Sequence, residues 1–213
     1  PRVSYRETVT TGGESRGVFE KLVAGKQQFG SVTLRVEPAE EHLVPVFENE
    51  TRDPNLSRDY VEAIRDGVMS AVQAGVLAAY PSINLKVTLT GFEYREEESS
   101  PPAYVAAASM AYREAFSEGS PVLLEPLMSL EVTTPEEYLG NIVNDLNKRR
   151  ATITDMQEKA AGIRTLTGRV PLSEMFGYAT VVRSMSQGRA TYTLEPSTYQ
   201  AVPEEMKKKL LLV

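Results

Sequence analysis

The chain contains no cysteine and a single histidine among its 213 residues. The absence of cysteine excludes disulfides, cysteine-ligated zinc clusters and thiol catalysis. The histidine, His42, lies in the acidic stretch EPAEEHLVPVFENE, and no nucleophile elbow accompanies it. Because a Ser-His-Asp triad needs a histidine beside a nucleophile and a carboxylate, we interpret His42 as a solvated loop residue and predict no catalytic residue.

Long apolar runs are also missing. None approaches the roughly 20 residues that span a bilayer, and the opening residues PRVSYRETVT lack a positive segment followed by an apolar core. We therefore expect no membrane partner, no secretion signal and a cytoplasmic location. The chain begins at Pro1 on a strand-like pattern rather than with methionine, which favours a segment upstream.

The phosphate-binding motif Gly-x-x-x-x-Gly-Lys-Ser/Thr does not occur in the sequence. The chain is therefore not expected to bind or hydrolyse GTP. The acidic run at residues 96–98 is interpreted as a solvated loop, because no further carboxylates stand at metal-ligand spacing. We predict neither a metal site nor a cofactor in this chain.

Charge divides the chain into two halves near residues 119–121. Residues 1–122 have a net charge of −6, whereas residues 123–213 are neutral. An acidic first half is not generally attracted to a phosphate backbone. Any contact of this half with nucleic acid is therefore expected at a tip or loop.

The first half follows the order strands, helix, strand, helix. Alternating residues at 18–23 and 32–36 flank the loop AGKQQFG and predict a hairpin. A helical pattern from Ser57 to Gly75 predicts the first helix, and alternation over residues 83–89 predicts the next strand.

The remainder of the first half is a loop and a helix. The acidic, polar residues 92–100 are predicted as a loop. Ser100 as N-cap and Pro101 in the first turn open the second helix, which Gly119 is expected to end. Its alanine-rich face is predicted to be core.

The second half predicts the order βαββαβ of a ferredoxin-like unit. A strand over residues 123–133 leads into a helix opened by a Thr134–Glu137 capping box. A strand pair over 151–156 and 163–170 follows, and Pro171 is expected to open a continuous helix that Gly188 ends. The last elements are a strand at 190–194 and a helical tail at 203–213.

Long segments of the second half resemble elongation factor G. They are PVLLEPLMSLEVTTPEEYLGNIVNDLNKRR at residues 121–150 and VPLSEMFGYATVVRSMSQGRATYTLEPSTY at residues 170–199. The first half is more loosely similar to the fourth domain of that family, in SYRET, QQFGSV, FEN, DYVEAIRDGV and AGVLAAYPSINLKVTL. The resemblance covers nearly the whole chain.

The resemblance implies an α+β fold of two domains. Residues 1–121 would form an elongated β-α-β-α arm with an unusual crossover, residues 122–200 a ferredoxin-like domain, and residues 201–213 a helical tail. It also implies a translational GTPase that promotes translocation of tRNA and mRNA, with the arm in the decoding site. GTP and magnesium would bind an N-terminal part outside this chain.

The same resemblance implies a set of RNA-binding residues. The arm would contact small-subunit decoding RNA, and the second domain the GTPase-associated region of the large subunit. The arm's candidates are Gly25, Lys26, Gln27, Gln28, Phe29, Gly30, Tyr94 and Arg95. Those of the second domain are Lys148, Arg149, Arg150, Arg183, Gln187 and Arg189.

Two departures from the family pattern fall at the arm's tip. Arg95 stands where the family commonly has histidine, and Lys26-Gln27-Gln28 follows Gly25 where arginine, glycine and glutamine are common. These changes favour a divergent paralogue and keep ribosome recycling or ribosome protection open as alternatives. A standalone two-domain regulator without a GTPase, and an acylphosphatase-type enzyme on the ferredoxin-like unit, are further alternatives.

Overall fold

The structure is a computed structural model that describes residues 2–211. Residues 212 and 213, the end of the predicted tail helix, lie outside the described residues. The chain forms two compact units. The N-terminal unit comprises residues 5–123 and the segment after residue 201, and the C-terminal unit comprises residues 124–201 with the first residues of the chain.

The N-terminal unit contains a four-stranded sheet and two long helices. Its elements are β1 (Arg6–Val9), β2 (Gly13–Val23), β3 (Lys26–Pro38), β4 (Val46–Asn49), α1 (Arg58–Ala74), β5 (Leu85–Glu93) and α2 (Pro101–Glu118). The sheet has the order β2-β3-β5-β4, in which only β4 and β5 run parallel. Helix α1 connects these two parallel strands, which is the crossover that the resemblance implies.

Local signals explain both helices of this unit. The hydroxyl of Ser57 accepts from the Tyr60 amide at the start of α1, and Ser100 accepts from the Ala103 amide at the start of α2. Apolar residues at helical spacing face the sheet and form one core with the inner faces of β3 and β5. Both helices and the predicted N-cap at Ser100 are confirmed.

The C-terminal unit has the predicted βαββαβ order. Its elements are β6 (Pro121–Pro135), α3 (Glu136–Lys148), β7 (Thr152–Ala160), β8 (Ile163–Pro171), α4 (Tyr178–Met185) and β9 (Thr191–Ala201). The strands β9, β6, β8 and β7 are neighbours in that order, and all these pairs are antiparallel. The core lies between this sheet and the two helices. The ferredoxin-like fold class is therefore confirmed.

Two predicted helix starts in the C-terminal unit are wrong. Thr134 is the penultimate residue of β6, and its hydroxyl contacts the Pro135 carbonyl instead of capping α3. The predicted helix from Pro171 is a 3-10 turn, Leu172–Glu174, separated from α4 by Gly177. Gly177 has φ 80°, a left-handed conformation that breaks a helix.

Other boundaries also differ from the sequence expectation. β5 begins at Leu85 rather than at residue 83, because Asn84 has φ 56°, and it continues through Glu93 into the predicted loop. β4 was not expected, since a four-residue strand in an acidic stretch has little alternation. The tail forms α5 (Glu204–Leu211), which groups with the N-terminal unit. Within residues 2–211, no helix is long and apolar enough to cross a membrane.

Candidate nucleic-acid interface

The β2–β3 hairpin ends in a two-residue turn. Ala24 and Gly25 have φ 50° and 79°, the pair of positive values that a tight type I′-like hairpin needs. Residue 23 pairs with residue 26 directly across the turn. The predicted seven-residue loop AGKQQFG is therefore wrong, because its last five residues belong to β3.

This pairing determines which candidates reach the surface. Lys26 is exposed, and Gln27 and Gln28 are partly exposed. The hydroxyl of Ser100 donates to the Gln28 side-chain oxygen, which fixes that amide beside the start of α2. Lys26 forms no ion pair with any of the described residues. The turn thus presents one unpaired cation and one free amide side chain.

Phe29 and Gly30 are buried, which corrects the expectation that they touch RNA. The Phe29 side chain is only 1% exposed. A Cβ at Gly30 would stand 2.6 Å from the Ala103 carbonyl, so the glycine is required by the approach of α2. Neither residue can reach a nucleic acid while the core of the unit is intact, and both act through packing.

The second tip loop, residues 94–99, is tied to the hairpin through Arg95. Its guanidinium lies 3.9 Å from the centre of the Phe29 ring, a cation–π contact. The same group pairs with Glu20 of β2 at 2.5 Å and stands 3.7 Å from Glu98. The hydrogen bond with Glu20 raises the pKa of Arg95 above its ordinary value. Arg95 remains cationic, but two carboxylates already balance its charge.

Backbone contacts join the same two loops. The Phe29 amide donates to the Glu98 carbonyl at 2.8 Å, and Ser99 Oγ accepts from the Arg95 amide at 2.9 Å. Tyr104 Oη lies 3.0 Å from Ser99 Oγ and donates to the Glu93 carbonyl at 2.6 Å. Burial raises the pKa of Tyr104 to about 12. These hydrogen bonds fasten the 94–99 loop to the β2–β3 hairpin and to the start of α2.

Tyr94 is the exposed aromatic residue of this loop. Its side chain is 37% exposed, and its ring centre lies 6.3 Å from that of Tyr60. Leu22 and Val23 are exposed beside the turn as well. The tip therefore combines Lys26 with apolar and aromatic surface, a composition that suits stacking on unpaired bases.

The candidate RNA-binding residues of the C-terminal unit, five cations and Gln187, divide into two groups. Lys148, Arg183, Gln187 and Arg189 are exposed, and Arg189 pairs with Glu137 at 3.0 Å across the surface. Lys148 and Arg183 lie in the last turns of α3 and α4, where cations also complement the helix dipole, and Gln187 and Arg189 follow α4. All four residues are accessible to a ligand, although Arg189 already has a surface partner in Glu137.

Arg149 and Arg150 are already engaged inside the unit. Arg150 donates to both carboxylate oxygens of Glu125, at 2.8 and 2.9 Å, and to Glu174 at 3.0 Å. Glu125 is only 1% exposed. Arg149 pairs with Asp145 at 2.9 Å and donates to the Glu174 carbonyl at 2.6 Å. These contacts count against the predicted RNA contact of Arg150, whose guanidinium neutralises a buried carboxylate.

Sequence reasoning missed the acidic partners of the candidate cations. Glu20 and Glu125 each stand far along the chain from the arginine they balance, whereas Glu98 is three residues from Arg95 in the same loop. Glu125 carries one usable signal, since it is the one charged residue in the apolar run over residues 121–128 at the start of β6. Within residues 2–211, no three Asp, Glu or His side chains are grouped so that they could hold a metal.

The geometry supports neither a phosphate-binding loop nor an acylphosphatase-type site. The Gly25-Lys26 pair lies in a β-hairpin, whereas a phosphate loop leads from a strand into a helix. An acylphosphatase-type site needs an anion-cradling loop after the first strand of the ferredoxin-like unit. In this chain β6 ends at Pro135 and α3 begins at Glu136, so no loop separates them.

Two family models match the chain in sequence. One is elongation factor G, domain IV, over residues 1–120, and the other is the elongation factor G C-terminus, over residues 122–210. The chain belongs to the elongation factor G family. The two matches meet between residues 120 and 122, where the composition of the sequence changes.

Individual relatives agree with the family assignment. The chain is 46% identical over 211 residues to elongation factor G of Fervidobacterium nodosum, covering 99% of the chain and 30% of the relative. It is 43% identical over 215 residues to elongation factor G of Thermotoga maritima, covering 100% of the chain and 31% of the relative. The chain thus spans about a third of the length of these elongation factors G.

A solved structure shows the same architecture. A crystal structure of a protein from Thermus thermophilus superposes with a TM-score of 0.88 at 34% identity, covering 99% of this chain and 31% of that one. Together with the family models, this similarity identifies the chain as the domain IV and C-terminal part of the elongation factor G architecture.

Proposed function

We propose that the chain is the ribosome-binding C-terminal part of a translational GTPase that promotes tRNA–mRNA translocation during protein synthesis. The arm, residues 1–121, would enter the decoding site, and residues 122–200 would contact the GTPase-associated region of the large subunit. The observation that supports this proposal most directly is the family match, which extends over both units in order.

The geometry of the tip supports the same role. Lys26 and Gln27 project from a tight turn, and Tyr94 stands on a loop fixed to the same hairpin. The N-terminal unit is otherwise acidic, so its body repels phosphate while the tip offers a local cation. This distribution favours insertion of the tip into an RNA site over adhesion along the whole unit.

The GTPase activity belongs to the proposed parent protein. GTP and magnesium would bind the N-terminal part of that protein, and the described residues show no phosphate loop for them. The partners of the arm would be small-subunit RNA, tRNA and mRNA in the cytoplasm. For the C-terminal unit we propose contacts through Lys148, Arg183, Gln187 and Arg189, the exposed members of the predicted set.

Site-specific crosslinking on ribosomes tests the tip assignment. Because the chain has no cysteine, Ala24→Cys and Glu96→Cys each create one labelling site for a benzophenone probe. We expect both positions to crosslink to small-subunit decoding RNA. Ser117→Cys, exposed near the end of α2, is the control. Crosslinks from the tip positions only to other sites would contradict the assignment.

Ribosome recycling by a divergent paralogue is the second candidate. One observation favours it: Arg95 is stacked on Phe29 and paired with two carboxylates, so this tip offers less free positive charge than its sequence implies. Translocation and subunit-splitting assays with the full-length protein distinguish translocation from ribosome recycling. Activity in splitting alone would assign the chain to recycling.

A further inference from the structure

We propose that a groove between α1 and α2 of the N-terminal unit docks a lysine- or arginine-rich segment of a ribosomal protein. The groove has a volume of about 540 Å³ and lies beside the first turns of both helices. The choice of a ribosomal partner rests on the proposed function. The acidic and apolar chemistry of the groove is independent of it.

The groove exists because the two helices pack very closely. A Cβ at Gly67 of α1 would stand 2.3 Å from the Val105 carbonyl and 3.0 Å from the Ala108 side chain. Ala63, one turn earlier in α1, is also small and buried. Small side chains along the contact leave a trough above it, with the larger side chains of each helix as its walls.

One wall is apolar. Pro101, Pro102 and Val105 of α2 line it and are exposed, and Val105 is 36% exposed. Prolines in the first turn of a helix are rigid and keep this surface in place. An exposed apolar strip is ordinary by itself, but here it faces a wall of a different kind.

The opposite wall is acidic. Asp59, Glu62 and Asp66 line it from α1, and their spacing of three and four residues places them on one face of the helix. Glu62 pairs with Arg58 at 3.2 Å, and both side chains are largely exposed, so this pair is weak. Asp59 and Asp66 form no ion pair with any described residue. Two negative charges therefore remain unbalanced beside an apolar strip.

The two walls together select the chemistry of the occupant. RNA is disfavoured because its phosphates would face the carboxylates. A lysine or arginine satisfies both walls, since its charged end pairs with a carboxylate while its aliphatic part covers proline and valine. The trough admits a few side chains of one segment. An extended basic protein segment therefore fits it better than a folded domain or a nucleic acid.

The experiment uses the cysteine-free 213-residue chain with purified ribosomes. Val105→Cys with a benzophenone probe should crosslink to a ribosomal protein, within a peptide rich in lysine or arginine that mass spectrometry identifies. Asp59→Asn together with Asp66→Asn should lower that yield at least several-fold. Glu114→Gln with Glu118→Gln makes the same charge change on exposed positions of α2 outside the groove and should leave the yield unchanged.

Each other outcome overturns the proposal. A crosslink from position 105 to RNA, no crosslink, or an equal yield from the aspartate variant means that the groove does not bind a basic segment. If the Ala24→Cys crosslink to decoding RNA persists in the same experiment, only the groove assignment fails. If that crosslink is also absent, the proposed function fails with it.

Discussion

The Arg95 guanidinium stacks on the Phe29 ring at 3.9 Å and simultaneously pairs with Glu20, so one residue of the 94–99 loop covers two neighbouring strands of the hairpin. Phe29 is buried in β3, and Glu20 is its partner across the β2–β3 pair. The arginine at the tip therefore acts first as a connection between two loops. This connection leaves Lys26 as the cation that the turn offers to a ligand.

Arg95→Ala should loosen the 94–99 loop while the fold persists. The residue is exposed, so we expect only a small loss in the free energy of unfolding. Amide hydrogen exchange should become several-fold faster at Phe29 and across the loop. Arg16→Ala, which removes the exposed Arg16–Glu93 pair, is the control. Unchanged exchange in the loop would show that Arg95 does not hold it.

Lys26→Ala should weaken ribosome binding without changing stability. Exposed changes of this kind stay within about ±0.5 kcal/mol in the free energy of unfolding. Losing one phosphate contact should reduce the slope of log binding constant against log salt concentration by roughly 1. The matched control is Lys86→Ala, whose cation pairs with Glu48 at 3.0 Å. Equal losses of binding in the two variants would contradict a specific contact by Lys26.

Arg150→Met should destabilise the C-terminal unit strongly. The change leaves Glu125, only 1% exposed, without its bidentate partner. Breaking a buried pair by removing one partner costs about 3–5 kcal/mol. Urea denaturation measures this loss, and the exposed Arg183→Ala should stay near the unchanged chain. If Arg150→Met lost little stability but much ribosome binding, Arg150 would instead be an RNA-contacting residue.

Glu7→Ala should unfold the turn that follows α1. The buried Glu7 carboxylate accepts four backbone amides, those of Val76, Leu77, Ala78 and Tyr80, at 2.6 to 3.0 Å. Hydrogen bonds to a charged group contribute about 1.5–3 kcal/mol each, so a loss of several kcal/mol is expected.

The conservative variant tests the same claim. Glu7→Gln keeps one acceptor oxygen and should recover only part of the stability that Glu7→Ala loses. Thermal denaturation and amide exchange at residues 76–80 measure both variants. Full stability in Glu7→Gln would mean that the negative charge of Glu7 has no role in holding the turn.

Tyr178→Phe should remove part of the alkaline loss of stability. Burial raises the pKa of Tyr178 to about 12 in the folded chain, whereas an unfolded tyrosine titrates near 10. Between these values only the unfolded chain releases the proton, so the free energy of unfolding falls as pH rises from about 10 to about 12. Denaturation at a series of pH values should show a shallower fall in Tyr178→Phe.

At neutral pH, Tyr178→Phe and Tyr104→Phe should differ in how much free energy of unfolding they lose. The Tyr178 hydroxyl is buried and has no hydrogen-bond partner among residues 2–211, so its removal should cost less than about 0.5 kcal/mol. Tyr104→Phe loses contacts to Ser99 and Glu93 and should cost about 1–2 kcal/mol at pH 7. Equal losses in the two variants would mean that Tyr178 has a partner in solution.

The sequence by itself determined the elements whose signals are local. Ser57 and Ser100 begin α1 and α2 because a hydroxyl beside the first turn satisfies free amides, a requirement that depends on a few adjacent residues. The βαββαβ order followed from alternation and helical spacing in the same way. The family resemblance could also be recognised from the sequence alone, because it rests on long unbroken segments.

Only the tertiary structure decided how the candidate site is used. Whether Phe29 faces solvent depends on α2, and whether Arg150 is free depends on Glu125, which lies 25 residues earlier on β6. Burial and charge pairing arise from contacts between distant segments, and no local pattern records them. The same holds for the missed strand β4, whose pairing is with a strand that follows a whole helix later. The sequence therefore named the cations, and the fold determined which of them remain free to bind.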